Sequence, residues 1–265
     1  MKLNLVPART GVTWVRTGLK TFLRQPLAFI SLFFFFMAVV SIASLVPLVG
    51  SALALMLLPT MTLALMAASA QAAVPEKPPA GAVFIAAFTA VRADVRPLAV
   101  LGALYAVAFL AVMAISALAD GGQFAKTYLM GGTVSREMAE AGDFQAALWI
   151  AMLLYLPLSL AFWHAPALVH WHGVPPAKSL FFSFVACFKN FGALTVFGLA
   201  WVGVFIGAGI VLSLLASLLV AVGAMGAGDG AAAFGGALMI GGALVMAAMF
   251  FTSTWFTFRD SFQAE

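Results

Sequence analysis

Residues Ala147 to Asn190 read ALWIAMLLYLPLSLAFWHAPALVHWHGVPPAKSLFFSFVACFKN, and this stretch decides the fold. From Phe144 to Ala177 there is no Asp, Glu, Lys or Arg, long enough to cross a bilayer core that needs ~20 apolar residues. Near its end Trp163, His164, Trp171 and His172 give the aromatic and wettable composition expected where a helix leaves hydrocarbon for headgroups. The Pro175-Pro176 pair stops that helix, and Ala177 to Asn190 begins a basic amphipathic helix along the surface.

The rest of the chain repeats this composition. Hydrophobic residues make up 64% of the 265 and charged residues 8%, against ~25% charged in soluble domains, so the expected class is a multi-pass membrane protein. The uncharged runs have helical length, and the alternating strands of about 10 residues that mark outer-membrane barrels are missing. The fold class is therefore all-α. The net charge of +4 is distributed as in a membrane protein rather than a nucleic-acid binder. Cys187 has no second cysteine to pair with and reads as a small apolar residue.

Taken in order, Met1 to Pro26 carries Lys2, Arg9, Arg16, Lys20 and Arg24 and no acid. On a helical wheel Val12, Val15, Leu19, Phe22 and Leu23 fill one arc and the basic residues the other, which predicts an interfacial amphipathic helix rather than a cleaved signal peptide. Residues 25 to 75 hold no charge and divide at Pro47 to Gly50 into span one, Leu27 to Val46, and span two, Ser51 to Ala72, with Pro59 as a kink. Ala82 to Arg96 is a second surface helix, in which Phe84, Phe88, Val91 and Val95 share a face that Arg92 and Arg96 avoid. Span three covers Pro97 to Leu118, a polar loop Asp120 to Asp143, and span four Ala146 to Val169. After the third surface helix come span five, Phe191 to Val222, a glycine-rich turn Gly223 to Gly230, and span six, Phe234 to Phe258.

Six spans place both termini on one side. Lys or Arg at 2, 9, 16, 20, 24, 77, 92, 96, 178, 189 and 259 lie with the termini, and only 126 and 136 lie opposite. The positive-inside rule predicts cytoplasmic termini.

Self-comparison suggests an internal repeat. At an offset of 97, Pro78, Pro79, Ala80, Phe84 and Arg92 fall on Pro175, Pro176, Ala177, Phe181 and Lys189, and at 96 Gly102, Tyr105 and Phe109 fall on Gly198, Trp201 and Phe205. A fainter copy starts the chain. The expected architecture is six transmembrane helices as three helix hairpins, each preceded by a cytoplasmic amphipathic interfacial helix, in one integral domain with units at about 8–73, 80–171 and 177–262. Three copies in one orientation are compatible with a pseudo-threefold axis along the membrane normal.

The stretch LYLPLSLAFWHAPALVHWHGVPPAKSLFFSFVACFKN, together with the basic start and LMLLPTMTLAL, resembles an uncharacterised family of six-span inner-membrane proteins from betaproteobacteria. The resemblance covers most of the chain. It implies a bacterial inner membrane and brings no site or activity.

Chemistry is sparse. The span interiors contain no Asp, Glu, Lys or Arg, which removes the groups a proton-coupled pump requires, and no nucleotide-binding Gly-x-x-x-x-Gly-Lys-Ser/Thr loop is present. His164, His170 and His172 are the weak candidates for a metal. On one helix 164 and 170 lie about 120° apart, while 164 and 172 share a side ~12 Å apart, so no metal and no cofactor is expected. Gly203, Gly207 and Gly209 predict a close helix approach in span five, most readily within the chain. Arg16, Lys20, Arg24, Arg92, Arg96, Lys178 and Lys189 are the expected contacts to anionic lipid of the cytoplasmic leaflet. A second copy or a protein partner is also compatible with the sequence. The leading function is a non-enzymatic structural, assembly or lipid-interacting role. The alternative is a passive carrier or pore for a small neutral or apolar solute, for which Thr60, Thr62, Ser159, Ser253 and Thr254 are among the few polar linings available.

Overall fold

The computed structural model describes residues 2–222 and 229–263. The glycine-rich turn expected at 223–230 falls mostly outside them. In chain order the elements are β1 (Lys2–Leu3), α1 (Thr10–Arg24), α2 (Pro26–Ser44), α3 (Gly50–Met56), α4 (Leu58–Ala72), α5 (Ala80–Ala93), α6 (Val95–Asp120), α7 (Gln123–Met130), α8 (Arg136–Glu140), α9 (Gly142–Trp163), α10 (Ala165–His172), α11 (Pro176–Lys189), α12 (Phe191–Ala221), α13 (Asp229–Ser261) and β2 (Phe262–Gln263). Among the described residues six helical segments are long and apolar enough to cross a bilayer: Pro26–Ser44, Gly50–Ala72, Val95–Asp120, Gly142–His172, Phe191–Ala221 and Ala233–Ser261. They match the six spans read from the sequence.

The contacts divide the chain into two compact units. The first comprises residues 1–33, 65–86 and 190–265. Its centre is α1, which packs on α12 and α13. Glycine makes this close approach possible, because a Cβ on Gly11 would lie 2.3 Å from the Ala193 carbonyl and one on Gly18 2.3 Å from the Ser253 Cβ. Trp14, fully buried, meets Phe197 edge-on with centroids 6.2 Å apart and donates from Nε1 to Asp260 Oδ2 at 2.9 Å. Trp201 donates to Ser253 Oγ at 3.1 Å. The two ends of the chain meet in the antiparallel pair β1–β2, with Lys2 opposite Gln263. The apolar arc of α1 therefore lies partly on protein: Val15 and Phe22 are buried, and Leu23 alone is strongly exposed.

The second unit comprises residues 34–64 and 87–189. Its core is Leu101, Tyr105, Phe109 and Met113 of α6 against Phe162, Ala165 and Val169 of α9 and α10. Tyr105 packs edge-on to Phe162 at 5.0 Å, and its hydroxyl lies 3.3 Å from that of Tyr155. Gly102 lets α6 touch the Met56 carbonyl, 2.2 Å from where its Cβ would be.

Three features sharpen the expected spans and loop. Span two is broken at Leu57, so Pro59 occupies the first turn of a new helix, where its missing N–H has no intrahelical partner to lose. Span four, expected as one helix, runs unbroken through Pro157 and breaks at His164, two residues before Pro166. There Ser183 of α11 accepts from the His164 N–H at 2.9 Å and donates to the Leu160 carbonyl at 2.8 Å, so its hydroxyl takes the place of one helix hydrogen bond. The polar loop is partly helical, containing α7 and α8. Asp120 organises it by accepting from the N–H groups of Gly122 and Phe124 at 2.8 and 2.6 Å.

Candidate functional site

Each of α1, α5 and α11 passes into the following spanning helix through a single non-helical residue. Gln25 separates α1 from α2, Asp94 separates α5 from α6, and Asn190 separates α11 from α12. Their φ values are −147°, −118° and −101°. All three are polar in apolar surroundings; Gln25 and Asn190 are buried at 6% and 2% exposure, and Asp94 is partly buried. A polar side chain so placed must find partners or cost stability. Gln25 Nε2 donates to the Pro78 carbonyl just before α5. Asp94 Oδ2 accepts from His170 Nδ1 at 2.5 Å, at the end of α10 and shortly before α11. Asn190 Oδ1 accepts from the Val6 N–H and Nδ2 donates to the Asn4 carbonyl, both at 3.0 Å, in the segment leading to α1.

The predicted lipid contacts separate into two groups. Arg16, Lys20, Arg92, Arg96, Lys178 and Lys189 are exposed, and none pairs with another side chain among the described residues. Arg24 behaves differently: it donates to the carbonyls of Ala72, Val74 and Pro75 at 3.0, 2.7 and 2.9 Å, and so caps the C-terminus of α4.

The histidines do not converge. His164 is buried at the α9–α10 break, His170 pairs with Asp94, and His172 is partly exposed. Among the described residues no group of three or more His, Cys, Asp or Glu is placed to hold a metal. Gly203, Gly207 and Gly209 have nothing within 4 Å of a built Cβ, so the intramolecular close approach expected of them is not made. Gly11, Gly18 and Gly102 make such approaches instead. Thr62, Ser159, Ser253 and Thr254 spend their hydroxyls on carbonyls of their own helices, and Thr60 lines an apolar groove.

Sequence reasoning missed Gln25, Asp94, Asn190 and Ser183. One signal was available, a lone polar residue at the boundary between a basic amphipathic segment and an uncharged run.

Spanning helices, polar junctions and exposed unpaired cations define a helical multi-pass membrane protein. Over 99% of its length the chain is 38% identical to a probable inner membrane protein of Burkholderia thailandensis, of which it covers 94%. The chain belongs to the family of that protein, a family of six-span inner-membrane proteins. No family profile matches the sequence, and no solved structure matches it.

Proposed function

We propose that the protein is a non-enzymatic component of the bacterial inner membrane, with a structural or assembly role exercised through lipid, and that its termini lie in the cytoplasm. The observation that carries this reading is the set of six exposed basic residues without side-chain partners on or beside α1, α5 and α11, each helix leading directly into a span. Near an anionic surface each such residue contributes about 1 kcal/mol.

The reading extends to a repeat of three units. Supporting it is a common burial register: positions 14, 18, 21 and 25 of the first surface helix correspond to 83, 87, 90 and 94 of the second and 179, 183, 186 and 190 of the third. The contacts follow the same rule, each surface helix packing on the preceding hairpin in cyclic order. Helix α1 packs on α12 and α13, α11 on α9 and α6, and Phe88 of α5 on Phe35 and Phe36 of α2. The three junction residues each tie down the lead-in to the next surface helix in the same cyclic order.

The lipid role is tested with a spin label on cysteine placed at the exposed Thr13, with Arg16 and Lys20 reversed to glutamate. In liposomes containing anionic lipid the label becomes more mobile on reversal, and the difference shrinks in neutral lipid. Equal mobility in all four combinations contradicts a continuing role for these charges. Arg24 is left intact, because its carbonyl contacts would confound the result.

A further inference from the structure

The second unit holds an apolar groove of about 430 Å³. Its walls come from the end of α2 at Ala43, the α3–α4 break at Met56, Leu57 and Thr60, and the start of α6 at Val95 and Leu98. The volume is that of a ligand-sized site, ~300–1,000 Å³. Thr60 is the only polar residue among those lining it, and four of the helices that wall it, α2, α3, α4 and α6, belong to three spanning segments. A polar solute would find almost nothing to hydrogen-bond there, whereas a hydrocarbon chain fits its chemistry.

One margin of the groove carries two cations. Val91 and Val95 line it, and each is followed by an exposed arginine, Arg92 and Arg96. Neither arginine has a side-chain partner among the described residues. The carboxylate between them in the chain, Asp94, is engaged by His170. Two cations beside an apolar groove complement a molecule with one negative headgroup and a long apolar tail. A neutral lipid leaves the arginines without a counter-charge, and a soluble anion leaves the groove unfilled. We infer that this groove holds an acyl chain of an anionic phospholipid whose phosphate rests on Arg92 and Arg96.

This inference rests on the lipid-contacting reading above, narrowing it to one class of lipid at one place. The test uses the full-length protein in mild detergent, with native mass spectrometry to count retained phosphatidylglycerol or phosphatidylcholine of identical chains. Phosphatidylglycerol is expected to be retained about tenfold or more over phosphatidylcholine, and Arg92→Gln with Arg96→Gln to abolish that preference. Arg92→Lys with Arg96→Lys keeps the charge and should preserve it. Ala99→Phe, which adds bulk at an exposed lining position with little cost to folding, should reduce phosphatidylglycerol binding, and soluble glycerol phosphate should not compete. Equal retention of the two lipids overturns the inference, as does indifference to both the glutamine pair and Ala99→Phe. Competition by glycerol phosphate, or a dimer that occludes the groove, overturns it as well. The Thr13 label reports on α1 in the other unit, so a failed groove with a responsive label rejects this site alone.

Discussion

Gly18 shows how much of the first unit depends on one missing methyl group. A Cβ there meets the Ser253 side chain at 2.3 Å and its backbone at 2.6 Å, so α1 must move off α13 if any side chain is added. Overpacking of this kind costs ~1–3 kcal/mol or more, and Gly18→Val should lower the unfolding midpoint in detergent, whereas Gly203→Ala should leave it within error. Cys187 offers a second residue-scale check. It is fully buried, and burial pushes its thiol up to about 12. Because the shift is upward, thiolate accumulates only as the pH nears that value, so alkylation by iodoacetamide should stay slow between pH 7 and 9, where an ordinary thiol speeds up steeply, and become fast once detergent unfolds the chain. The sequence reading of Cys187 as a small apolar residue agrees with its burial. The reading of the glycines does not, because spacing identifies a smooth helix face but cannot say which smooth face has a neighbour. Gly11 and Gly18 lack the four-residue spacing that drew attention to Gly203 and Gly207.

Secondary elements were legible where length and hydropathy decide them and less so where a side chain from elsewhere intervenes. The spans emerge from uncharged runs, and each begins or ends within a few residues of the expected position. The break at His164 lies two residues before Pro166, whose ring and missing N–H make it legible, but the serine 19 residues downstream that takes over a backbone hydrogen bond there was not. Helices stand where the basic amphipathic segments were read, but a helical wheel does not distinguish protein from lipid as the cover for an apolar arc. In α1 much of that arc faces α12 and α13. The junction residues belong to this scale. Replacing Asn190 by alanine leaves the partly buried Val6 N–H and Asn4 carbonyl without their side-chain partner, a loss of about 1–3 kcal/mol at ~0.5–1.5 kcal/mol per hydrogen bond. The expected outcome is a lower unfolding midpoint together with faster trypsin cleavage at Arg9, since the lead-in to α1 is no longer tied down. Unchanged cleavage would show that the β1–β2 pair holds the segment without help.

For the whole molecule, composition already dictates a polytopic helical protein, and kinship with an inner-membrane protein over almost the entire chain agrees with it. Activity was not legible because the spans carry so few ionisable groups, and among the described residues no group of three or more His, Cys, Asp or Glu is placed to hold a metal. What remains is a set of exposed basic residues on α1, α5, α11 and the start of α6, helices that lead into or begin spanning segments. Their placement has meaning only if α1, α5 and α11 share the cytoplasmic side, and this is the central claim. The most direct measurement fuses alkaline phosphatase after Pro79, just before α5, and after Gly132, between α7 and α8. The account predicts an inactive enzyme at Pro79 and an active one at Gly132. Activity at Pro79 with none at Gly132 would put the basic helices on the periplasmic side and contradict it.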